Sequence, residues 1–370
     1  MNILWFTWKD LSHPLAGGAE RVNEELAKRL AQDGHRVIFV VGGFEGGEMK
    51  ESRDGFDIVR VGNRYTVYWQ SYQYYKKYLA KKEWDIVIDE INTIPFFASK
   101  YAKAKKHFLF VHQLCREIWF YQMIFPLNWI GYFLEPFYLQ ILNKTSVIVV
   151  SESTKRDLMK YGYKEENIHI ISEGSDMEPV ESLEKQEKYP QPTLLSLGAI
   201  RAMKQTIDQL RAFEEAKKVI PDLKFLVAGD AQDVYGKKFL LEVEKSPYKE
   251  DIEYLGRVDG NKKKELMQKS HLIAVTSVKE GWGLIVTEAN SQGTPAVAYD
   301  ADGLRDSVRD GETGILSKEN TPESLAENIV QLFENREQYE KFREHAWQWS
   351  KKLTFERSYE DFLHIIKEKS

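Results

Sequence analysis

Short apolar runs alternate with amphipathic helical stretches along this chain of 370 residues. In the first half, the apolar runs predict buried strands at residues 3–8, 37–41, 58–61, 86–88, 107–111 and 146–150. Between the first two runs, Val22, Leu26 and Leu30 recur at helical spacing and predict a helix over residues 20–33. Strands that alternate with helices are typical of parallel α/β sheets, so the pattern predicts that fold class.

The same alternation resumes after a polar, proline-containing stretch at residues 176–192. Further strands are predicted at 193–197, 225–228, 253–255, 272–275 and 296–299, and helices at 322–333 and 355–369. One hydrophobic core rarely serves a chain of this length. We therefore predict an N-terminal domain over residues 1–175, a linker over 176–192 and a C-terminal domain over 193–353, with a ligand cleft at the carboxyl ends of their strands.

Composition excludes several classes of protein. The net charge of −5 gives no hint of a nucleic-acid partner. Cys115 is the only cysteine, so no internal disulfide can form, and we expect a reducing, cytoplasmic compartment. The first residues do not have the pattern of a signal peptide, and no run of about 20 apolar residues predicts a spanning helix.

The segment Lys279–Glu288, KEGWGLIVTE, carries the strongest candidate chemistry. A helix predicted to begin near Leu284 would present its unpaired first amides, which suit an anion such as a diphosphate. Gly281 and Gly283 would let the backbone approach that anion closely. Glu280 and Glu288 can then lie on either side of the anion, where carboxylates accept hydrogen bonds from vicinal hydroxyls. The alternative is an ordinary strand–helix unit with solvated glutamates.

Three other places add candidate residues. Arg201 and Lys204 follow the strand at 193–197 and could neutralise a diphosphate leaving group, although alone they would be read as exposed cations. His112 ends the strand at 107–111, where sites on parallel sheets form, but a structural histidine is an equal alternative. Gly17 and Gly18 give a flexible turn before the first helix, and a plain loop is the simpler interpretation of that pair.

At these residues the sequence resembles the retaining GT-B glycosyltransferases of the large group 1 (family 4) type. The resemblance rests on the two glutamates with seven intervening residues, on the following NSQGTPAVAYD, and on the arginine and lysine. It implies an α/β fold of the GT-B type, with two Rossmann-like parallel-sheet domains facing a central cleft. It also implies that the C-terminal helix, residues 354–370, packs back on the N-terminal domain.

The resemblance further implies site roles. Glu280 would hold the donor sugar and Glu288 the ribose, while Arg201 and Lys204 would stabilise the leaving diphosphate with the amides of Gly283, Leu284 and Ile285. His112 would contact the donor sugar. The remaining donor-binding residues implied by the motifs are Gly17, Gly18, Gly229, Arg257, Val258, Gly281 and Trp282.

Two departures from the family pattern stand out. Gln205 occupies the place of the glycine that usually follows the lysine, and Ser172-Glu173-Gly174 replaces the usual proline-asparagine-glycine turn. Asp300-Ala301-Asp302 looks like a metal-binding Asp-x-Asp, but we interpret it as coincidental. We expect no metal and no cofactor, because Arg201, Lys204 and a helix dipole can stabilise the leaving group.

Residues 118–142, IWFYQMIFPLNWIGYFLEPFYLQIL, contain one charge, Glu135, and many aromatic residues. Pro126 and Pro136 should break a helix there, so spanning is not expected. Two interpretations remain open. The segment could lie in the lipid interface, helped by a set of upstream lysines, Lys76, Lys77, Lys81, Lys82, Lys100, Lys103, Lys105 and Lys106. It could instead be a hydrophobic pair packed inside the domain or against a second subunit.

The resulting prediction is an enzyme that transfers a hexose from a UDP- or GDP-sugar, with retention, to a sugar or lipid-linked acceptor. It would work without a metal, in glycan or glycolipid biosynthesis, in the cytoplasm or as a peripheral protein on the cytoplasmic membrane face. The alternatives are a non-catalytic protein that binds nucleotide sugars and a GT-B sugar-nucleotide epimerase. A dehydrogenase is disfavoured, because the chain has no G-x-G-x-x-G turn at its first helix.

Overall fold

The structure, a computed structural model, describes residues 1–368, apart from the side chain of Gln122. The last two residues of the predicted tail helix, 369 and 370, lie outside the described residues. The chain divides into two compact units. Unit 1 comprises residues 1–174 together with the C-terminal segment that begins at Phe355, and unit 2 comprises Ser175–Thr354.

Unit 1 contains an eight-stranded sheet. Up to residue 174 its elements are β1 (Asn2–Phe6), α1 (Gly18–Gln32), β2 (Arg36–Gly42), β3 (Lys50–Arg53), β4 (Phe56–Val61), α2 (Val67–Tyr74), β5 (Ile86–Glu90), β6 (Lys106–Val111), α3 (Trp119–Gln122), α4 (Leu127–Leu142), β7 (Ser146–Val149), α5 (Glu152–Met159) and β8 (Ile168–Ile170). The strand order is β3-β4-β2-β1-β5-β6-β7-β8. All neighbours are parallel except β3 and β4, which form an antiparallel pair. The six predicted strands are present, and β3 and β8 are additional.

Unit 2 contains a six-stranded parallel sheet of order β11-β10-β9-β12-β13-β14. Its elements are β9 (Thr193–Leu197), α6 (Thr206–Lys217), β10 (Lys224–Ala228), α7 (Val234–Lys245), β11 (Ile252–Gly256), α8 (Gly260–Lys269), β12 (Leu272–Val275), α9 (Leu284–Ser291), β13 (Ala296–Ala298), α10 (Leu304–Ser307), β14 (Gly314–Leu316), α11 (Pro322–Glu334) and α12 (Arg336–Ser350). The prediction of two parallel α/β sheets is confirmed. In each sheet the strand order reverses beside the first strand of the unit, the point at which ligands bind to folds of this kind.

The final helix, α13 (Phe355–Glu368), belongs to unit 1. Phe362 is fully buried and stacks on Trp5 of β1, with ring centroids 5.7 Å apart. The Ser358 hydroxyl accepts a hydrogen bond of 2.9 Å from the Gly174 amide, and Arg29 of α1 pairs with Glu356 at 3.0 Å. Helix α13 is therefore fixed to unit 1 by an aromatic contact and by polar contacts.

The stretch that we predicted as a linker, residues 176–192, is fastened along the surface of unit 2. The Lys188 ammonium donates to the carbonyls of Ser270 and Gly293 at 2.8 and 2.9 Å and to the Thr294 hydroxyl at 2.7 Å. Burial holds the pKa of Lys188 well below its usual range. Three oxygen atoms thus surround the Lys188 nitrogen, and they hold this polar sequence in place without a strand or helix of its own.

The aromatic stretch forms α3 and α4, and Pro136 lies inside α4 instead of ending it. A proline leaves the carbonyl four residues earlier without its helical donor. Here that carbonyl, on Tyr132, accepts a hydrogen bond of 3.0 Å from the Arg116 guanidinium. The expectation that Pro136 would break the helix was wrong, because a side chain outside the helix replaces the missing amide.

Candidate active site

The charged residues predicted after β9 and β12 meet at the carboxyl ends of these two strands, which are neighbours in the sheet. Lys204 lies in a single 3-10 turn, Ala202–Lys204, after β9, and Glu280 lies in the loop between β12 and α9. The Lys204 ammonium forms an ion pair with the Glu280 carboxylate. The Ser277 hydroxyl donates a hydrogen bond of 2.6 Å to the same carboxylate. The Lys204–Glu280 ion pair thus joins two of the four side chains that we predict to be catalytic, which are Glu280, Arg201, Lys204 and His112.

Backbone and side-chain hydrogen bonds hold these two loops against each other. The Thr276 hydroxyl lies 2.7 Å from the Lys204 carbonyl, and it accepts a hydrogen bond of 2.9 Å from the Gln209 amide. The Val278 amide donates to the Met203 carbonyl at 2.9 Å. Because the loops are tied in this way, the position of Lys204 beside Glu280 does not depend on the ion pair alone.

Helix α9 begins at Leu284, as predicted, and the turn before it requires a glycine. Gly283 has φ of 101°, and a Cβ at this position would lie 2.9 Å from the Ser307 hydroxyl. The Trp282 side chain is buried, and its indole N–H donates to the Thr287 hydroxyl at 2.9 Å. Trp282 therefore braces the turn, while the amides of Leu284 and Ile285 stand at the positive end of the helix.

Glu288 lies one turn into α9, and its carboxylate has a different cationic partner. The Lys263 ammonium of α8 lies 2.6 Å from Glu288 Oε1. Burial raises the pKa of the Glu288 carboxyl, and the charge of Lys263 opposes that rise. Sequence reasoning missed Lys263, because a run of three lysines on a helix is usually a solvated face.

Three of the donor-binding residues implied by the resemblance, Gly229, Arg257 and Val258, lie at the ends of β10 and β11. A Cβ on Gly229 would stand 1.8 Å from the Gly198 carbonyl oxygen, and the Gly229 amide donates to the Gly256 carbonyl at 2.8 Å. Strand packing alone thus requires this glycine. Arg257 is exposed, whereas Val258 packs against the core of unit 2. Arg201 is also exposed, at the start of the turn that holds Lys204.

The Asp300-Ala301-Asp302 sequence is engaged in ion pairs with basic side chains. Asp302 contacts Lys279 at 3.1 Å and Arg305 at 2.6 Å, and Asp300 also pairs with Arg305. The Asp302 carbonyl accepts a hydrogen bond of 2.9 Å from the Glu280 amide. These contacts indicate that the segment positions the backbone of Glu280. Among residues 1–368, no group of three or more His, Cys, Asp or Glu side chains is arranged to hold a metal ion.

The glycine turn of unit 1 lies at the start of α1. The Gly17 amide donates to the Glu20 carboxylate at 2.7 Å, and Lys9 pairs with the same carboxylate at 3.3 Å. Glu20 is only 2% exposed. Gly18 is the first residue of α1. A buried carboxylate and a lysine thus fix this turn beside the end of β1.

His112 follows β6 and is surrounded by acidic and amide side chains. Its Nε2 lies 3.3 Å from Asn23 Oδ1 and 3.9 Å from Glu90 Oε1, and its Nδ1 lies 3.8 Å from Glu173 Oε1. The two carboxylates, with a smaller contribution from Glu20, outweigh burial and raise the pKa of His112. Sequence reasoning missed Glu90 and Glu173. The signal for Glu90 was present, because two acids directly follow the apolar residues 86–88.

The predicted site residues therefore divide between the units. Gly17, Gly18 and His112 belong to unit 1. Unit 2 holds the remaining twelve, and among these the structure pairs Lys204 directly with Glu280.

Two protein families match the chain in adjoining segments. The family described as Glycosyltransferase Family 4 matches residues 16–179, and the family described as Glycosyl transferases group 1 matches residues 180–349. The boundary between the two matches falls a few residues after the boundary between units 1 and 2.

Individual relatives are similar at low identity. The chain is 22% identical over 367 residues to the N-acetyl-alpha-D-glucosaminyl L-malate synthase of Bacillus anthracis, covering 90% of this chain and 89% of that enzyme. It is 28% identical over 218 residues to the poly(glycerol-phosphate) alpha-glucosyltransferase of Bacillus subtilis (strain 168). That match covers 58% of this chain but only 31% of the longer relative.

Solved structures are similar over the whole chain. Sucrose-phosphate synthase from Thermosynechococcus elongatus matches with a TM-score of 0.80 and 17% identity, covering 100% of this chain and 98% of that one. HepE of Anabaena, solved in complex with UDP and glucose, matches with a TM-score of 0.72 and 17% identity, covering 99% of each chain.

With two parallel sheets and candidate charges at the carboxyl ends of their strands, the fold is that of a GT-B glycosyltransferase. The two adjoining family matches then fix the family. The chain belongs to the group 1 (family 4) glycosyltransferases, and it is an enzyme of the transferase class.

Proposed function

We propose that the enzyme transfers a hexose from a nucleoside diphosphate sugar, with retention of anomeric configuration, to a sugar or lipid-linked acceptor. The observation that carries the proposal is the Lys204–Glu280 ion pair beside the start of α9. A cation, a carboxylate and unpaired helix amides stand together at the switch point of the unit 2 sheet. These groups match a substrate with an anionic diphosphate and a hydroxylated sugar.

In this proposal the Lys204–Glu280 pair exchanges partners when the donor binds. Lys204, with Arg201 and the amides of Gly283–Ile285, neutralises the diphosphate as the bond to the sugar breaks. Glu280 then accepts hydrogen bonds from sugar hydroxyls, and Glu288 accepts them from the ribose. A UDP-sugar is favoured by the UDP in the HepE structure, and a GDP-sugar remains the second candidate.

We propose that this chemistry needs no divalent cation. Lys204 and Arg201 supply the positive charge that a bound metal would otherwise contribute. Transfer should continue in the presence of EDTA, and a loss of turnover that added Mg²⁺ restores would contradict this part of the proposal. Retention should appear as the anomeric configuration of the donor in the product.

The direct test is a donor and acceptor screen. Purified enzyme should release UDP or GDP from one sugar nucleotide, and the release should accelerate when a glycan or lipid-linked acceptor is added. Conversion of the sugar nucleotide to its epimer without an acceptor would favour the epimerase alternative. Binding of a sugar nucleotide with no release of diphosphate under any acceptor would contradict the proposal.

We also propose that the face formed by α4 lies on a membrane surface and brings the enzyme to a lipid-linked acceptor. The inward residues of α4 pack in the core, and the buried Glu135 carboxylate accepts hydrogen bonds from Cys115 and Arg116 amides, each 2.7 Å long. The outward side chains are about half exposed or more and are apolar: Leu127, Trp129, Ile130, Phe133, Leu134, Phe137 and Ile141. Ile124 and Phe125, just before α4, are 80% and 75% exposed. Such a contiguous apolar face marks an interaction surface.

Helix α2 covers the same face of the unit 1 sheet as α4. Val87 of β5 belongs to the same buried hydrophobic cluster as Val67 of α2. Leu109 of β6 belongs to the same cluster as Leu139 of α4. Asp89 pairs with Leu109 in the register, and residues two apart along a strand point to the same side. Exposed Trp69 and Tyr65, at α2, therefore lie on the side of the sheet that carries the apolar residues of α4.

Exposed lysines of unit 1 support attraction to anionic lipid. Lys76, Lys77, Lys81, Lys82, Lys100 and Lys103 are exposed. Three lysines of the predicted set form ion pairs or hydrogen bonds within unit 1: Lys105 pairs with Asp85 at 2.7 Å, Lys106 donates to the Ile366 carbonyl at 2.7 Å, and Lys100 donates to the Ile141 carbonyl at 3.4 Å. Among residues 1–368, no helix is both long and apolar enough to cross a bilayer, so the proposed contact is interfacial.

Flotation with vesicles tests the membrane proposal. Wild-type protein should float with vesicles that contain phosphatidylglycerol, and the double variant Leu134→Asp/Phe137→Asp should remain in the bottom fraction. The matched control is Val234→Asp/Leu241→Asp in unit 2, where both residues are exposed and flotation should be unchanged. Wild-type protein that stays in the bottom fraction with every vesicle composition would contradict the proposal.

A further inference from the structure

The cluster around His112 fixes the proton on one ring nitrogen and favours a proton on the other. The Asn23 amide nitrogen donates to Glu90 Oε2 at 2.7 Å, so the Asn23 oxygen must face His112 Nε2. An amide oxygen can only accept, and His112 Nε2 therefore carries a proton. On the other side of the ring, Nδ1 faces Glu173 Oε1 at 3.8 Å. A carboxylate also accepts only, so this side favours a second proton.

The side chains of this cluster are almost fully buried. Glu90 and Glu173 are 0% and 4% exposed, and His112 is 8% exposed. Within the described residues, His112 Nδ1 and Glu90 Oε1 are buried and have no hydrogen-bond partner. Buried polar atoms without partners are uncommon and costly. The ring is held between two carboxylates at ion-pair distance, with Nδ1 buried on the side of Glu173.

We propose that Glu173, together with Glu90 and Asn23, is a positioning residue that holds His112 as an imidazolium. This proposal rests on the proposed function and on the role that the family resemblance implies for His112, which is contact with the donor sugar. It adds that the positive charge of this histidine is maintained by Glu173.

The charged groups that face the ring come from four elements. Glu90 ends β5, Glu173 follows β8, and Glu20 lies on α1, while Lys9 after β1 pairs with Glu20 at 3.3 Å. Burial raises the pKa of Glu90 to about 7. Glu90 is therefore harder to ionise than an ordinary glutamate. Because Glu20 is offset by Lys9, Glu173 is the carboxylate on which the charge of His112 chiefly depends.

The experiment compares full-length wild type with Glu173→Gln, which keeps the shape and removes the charge. The imidazole of His112 is followed by NMR of carbon-13-labelled histidine, assigned by its absence in His112→Gln. Because the two carboxylates raise the pKa of His112 despite its burial, the ring in wild type should titrate above the ordinary value of 6.5. In Glu173→Gln the titration should move down by about one pH unit or more, a tenfold loss of proton affinity.

Two further variants separate charge from structure. Glu173→Asp should restore much of the raised pKa of His112, because it returns a carboxylate to the same side of the ring. Glu83→Gln, an exposed residue just before β5, should leave the His112 titration unchanged. A wild-type His112 that titrates at its ordinary value, or a titration unchanged by Glu173→Gln, would overturn the proposal.

The pH profile of kcat/KM distinguishes failure of this inference from failure of the proposed function. The alkaline limb should move to lower pH in Glu173→Gln, by the same amount as the NMR titration, and stay in place in Glu83→Gln. If the NMR titration moves and the alkaline limb does not, Glu173 holds the charge as proposed and the contact of His112 with the donor is wrong. If transfer is absent in wild type, the NMR result alone decides the role of Glu173.

Discussion

Units 1 and 2 both place charged side chains at the carboxyl ends of parallel strands, but they balance those charges differently. In unit 2 the two glutamates are each paired with a lysine, Glu280 with Lys204 and Glu288 with Lys263, and the four side chains are between 15% and 32% exposed. In unit 1 the His112 cluster is almost fully buried and keeps polar atoms without hydrogen-bond partners.

This difference determines how the ion pairs of unit 2 and the His112 cluster of unit 1 can bind a ligand. A partly exposed ion pair is worth little in water, so a ligand with a diphosphate and hydroxyl groups can replace both partners at low cost. A buried charge between fixed carboxylates cannot rearrange without a large penalty. We infer that the paired lysines and glutamates of unit 2 separate from each other when they bind the donor. In contrast, His112 of unit 1 keeps its charge without rearranging.

The largest expected effect comes from breaking the Lys204–Glu280 ion pair, whose two partners bind the donor in the proposed function. Lys204→Ala and Glu280→Ala should each lower kcat by about 10²–10³-fold, since each removes a group that stabilises developing charge or positions the sugar. Turnover is measured as diphosphate release in the presence of acceptor. The melting temperature should change little, because both side chains are partly exposed and the loops are also tied by Thr276 and Val278.

Lys218→Ala is the matched control for Lys204→Ala. Lys218 is an exposed lysine of unit 2 that pairs with Glu215 at 2.6 Å, and its removal should leave kcat unchanged. Wild-type turnover in Lys204→Ala or Glu280→Ala, or a large fall in melting temperature with turnover retained, would show that the pair is structural.

A smaller effect is expected on donor binding when the second pair is broken. Lys263→Met removes the cation that opposes the burial-raised pKa of Glu288, so that pKa should rise further. The carboxylate that binds ribose is then lost at higher pH, and the affinity for UDP should weaken increasingly as the pH falls. Calorimetry should find a loss that grows as the pH falls, up to about tenfold for a rise of about one in the pKa of Glu288, and a smaller loss near pH 8.

Lys264→Met provides the comparison within the same helix. Lys264 is exposed and adjacent in sequence, so its removal should leave the UDP affinity unchanged at both pH values. An equal loss of UDP affinity in both variants would contradict the claim that Lys263 maintains the Glu288 carboxylate for ribose binding. A loss in Lys263→Met that does not depend on pH would contradict it as well.

The smallest effect concerns backbone strain in the loop of Lys204. Gln205 has φ of 48° and ψ of 42°, in the left-handed region that costs a residue with a Cβ about 1–2 kcal/mol. Gln205→Gly should stabilise the protein by less than about 1 kcal/mol, since glycine removes strain but loses more entropy on folding. Gln205→Thr should destabilise it. Denaturant unfolding measures the free energy of unfolding of both variants. A Gln205→Gly variant that is less stable than wild type would contradict the claim that the backbone at Gln205 is strained.

The regular parts of the fold could be predicted from the sequence because their signals are local. The apolar runs predicted β9 and β12 with their observed bounds, and the glycine turn predicted the start of α9 at Leu284. The antiparallel β3 could not be predicted in this way. Its residues, KESR, are polar, and Glu51 and Arg53 are held by ion pairs with Arg60 and Glu24.

The missed features all depend on contacts between distant residues. Arg116 supplies the donor that lets α4 continue through Pro136, and Lys188 anchors the stretch that we predicted as a linker. Lys263 meets Glu288 from another helix. A pattern along the chain identifies which residue types stand at a strand end, but only the fold determines their partners.

The most direct test of the account is a crystal structure of the enzyme with bound UDP. We predict that the diphosphate lies at the amides of Gly283–Ile285, with Lys204 turned from Glu280 to the phosphates and Glu288 on the ribose hydroxyls. Phosphates bound elsewhere, or a Lys204–Glu280 pair that persists in the complex, would contradict the claim that unit 2 exchanges its ion pairs for the donor.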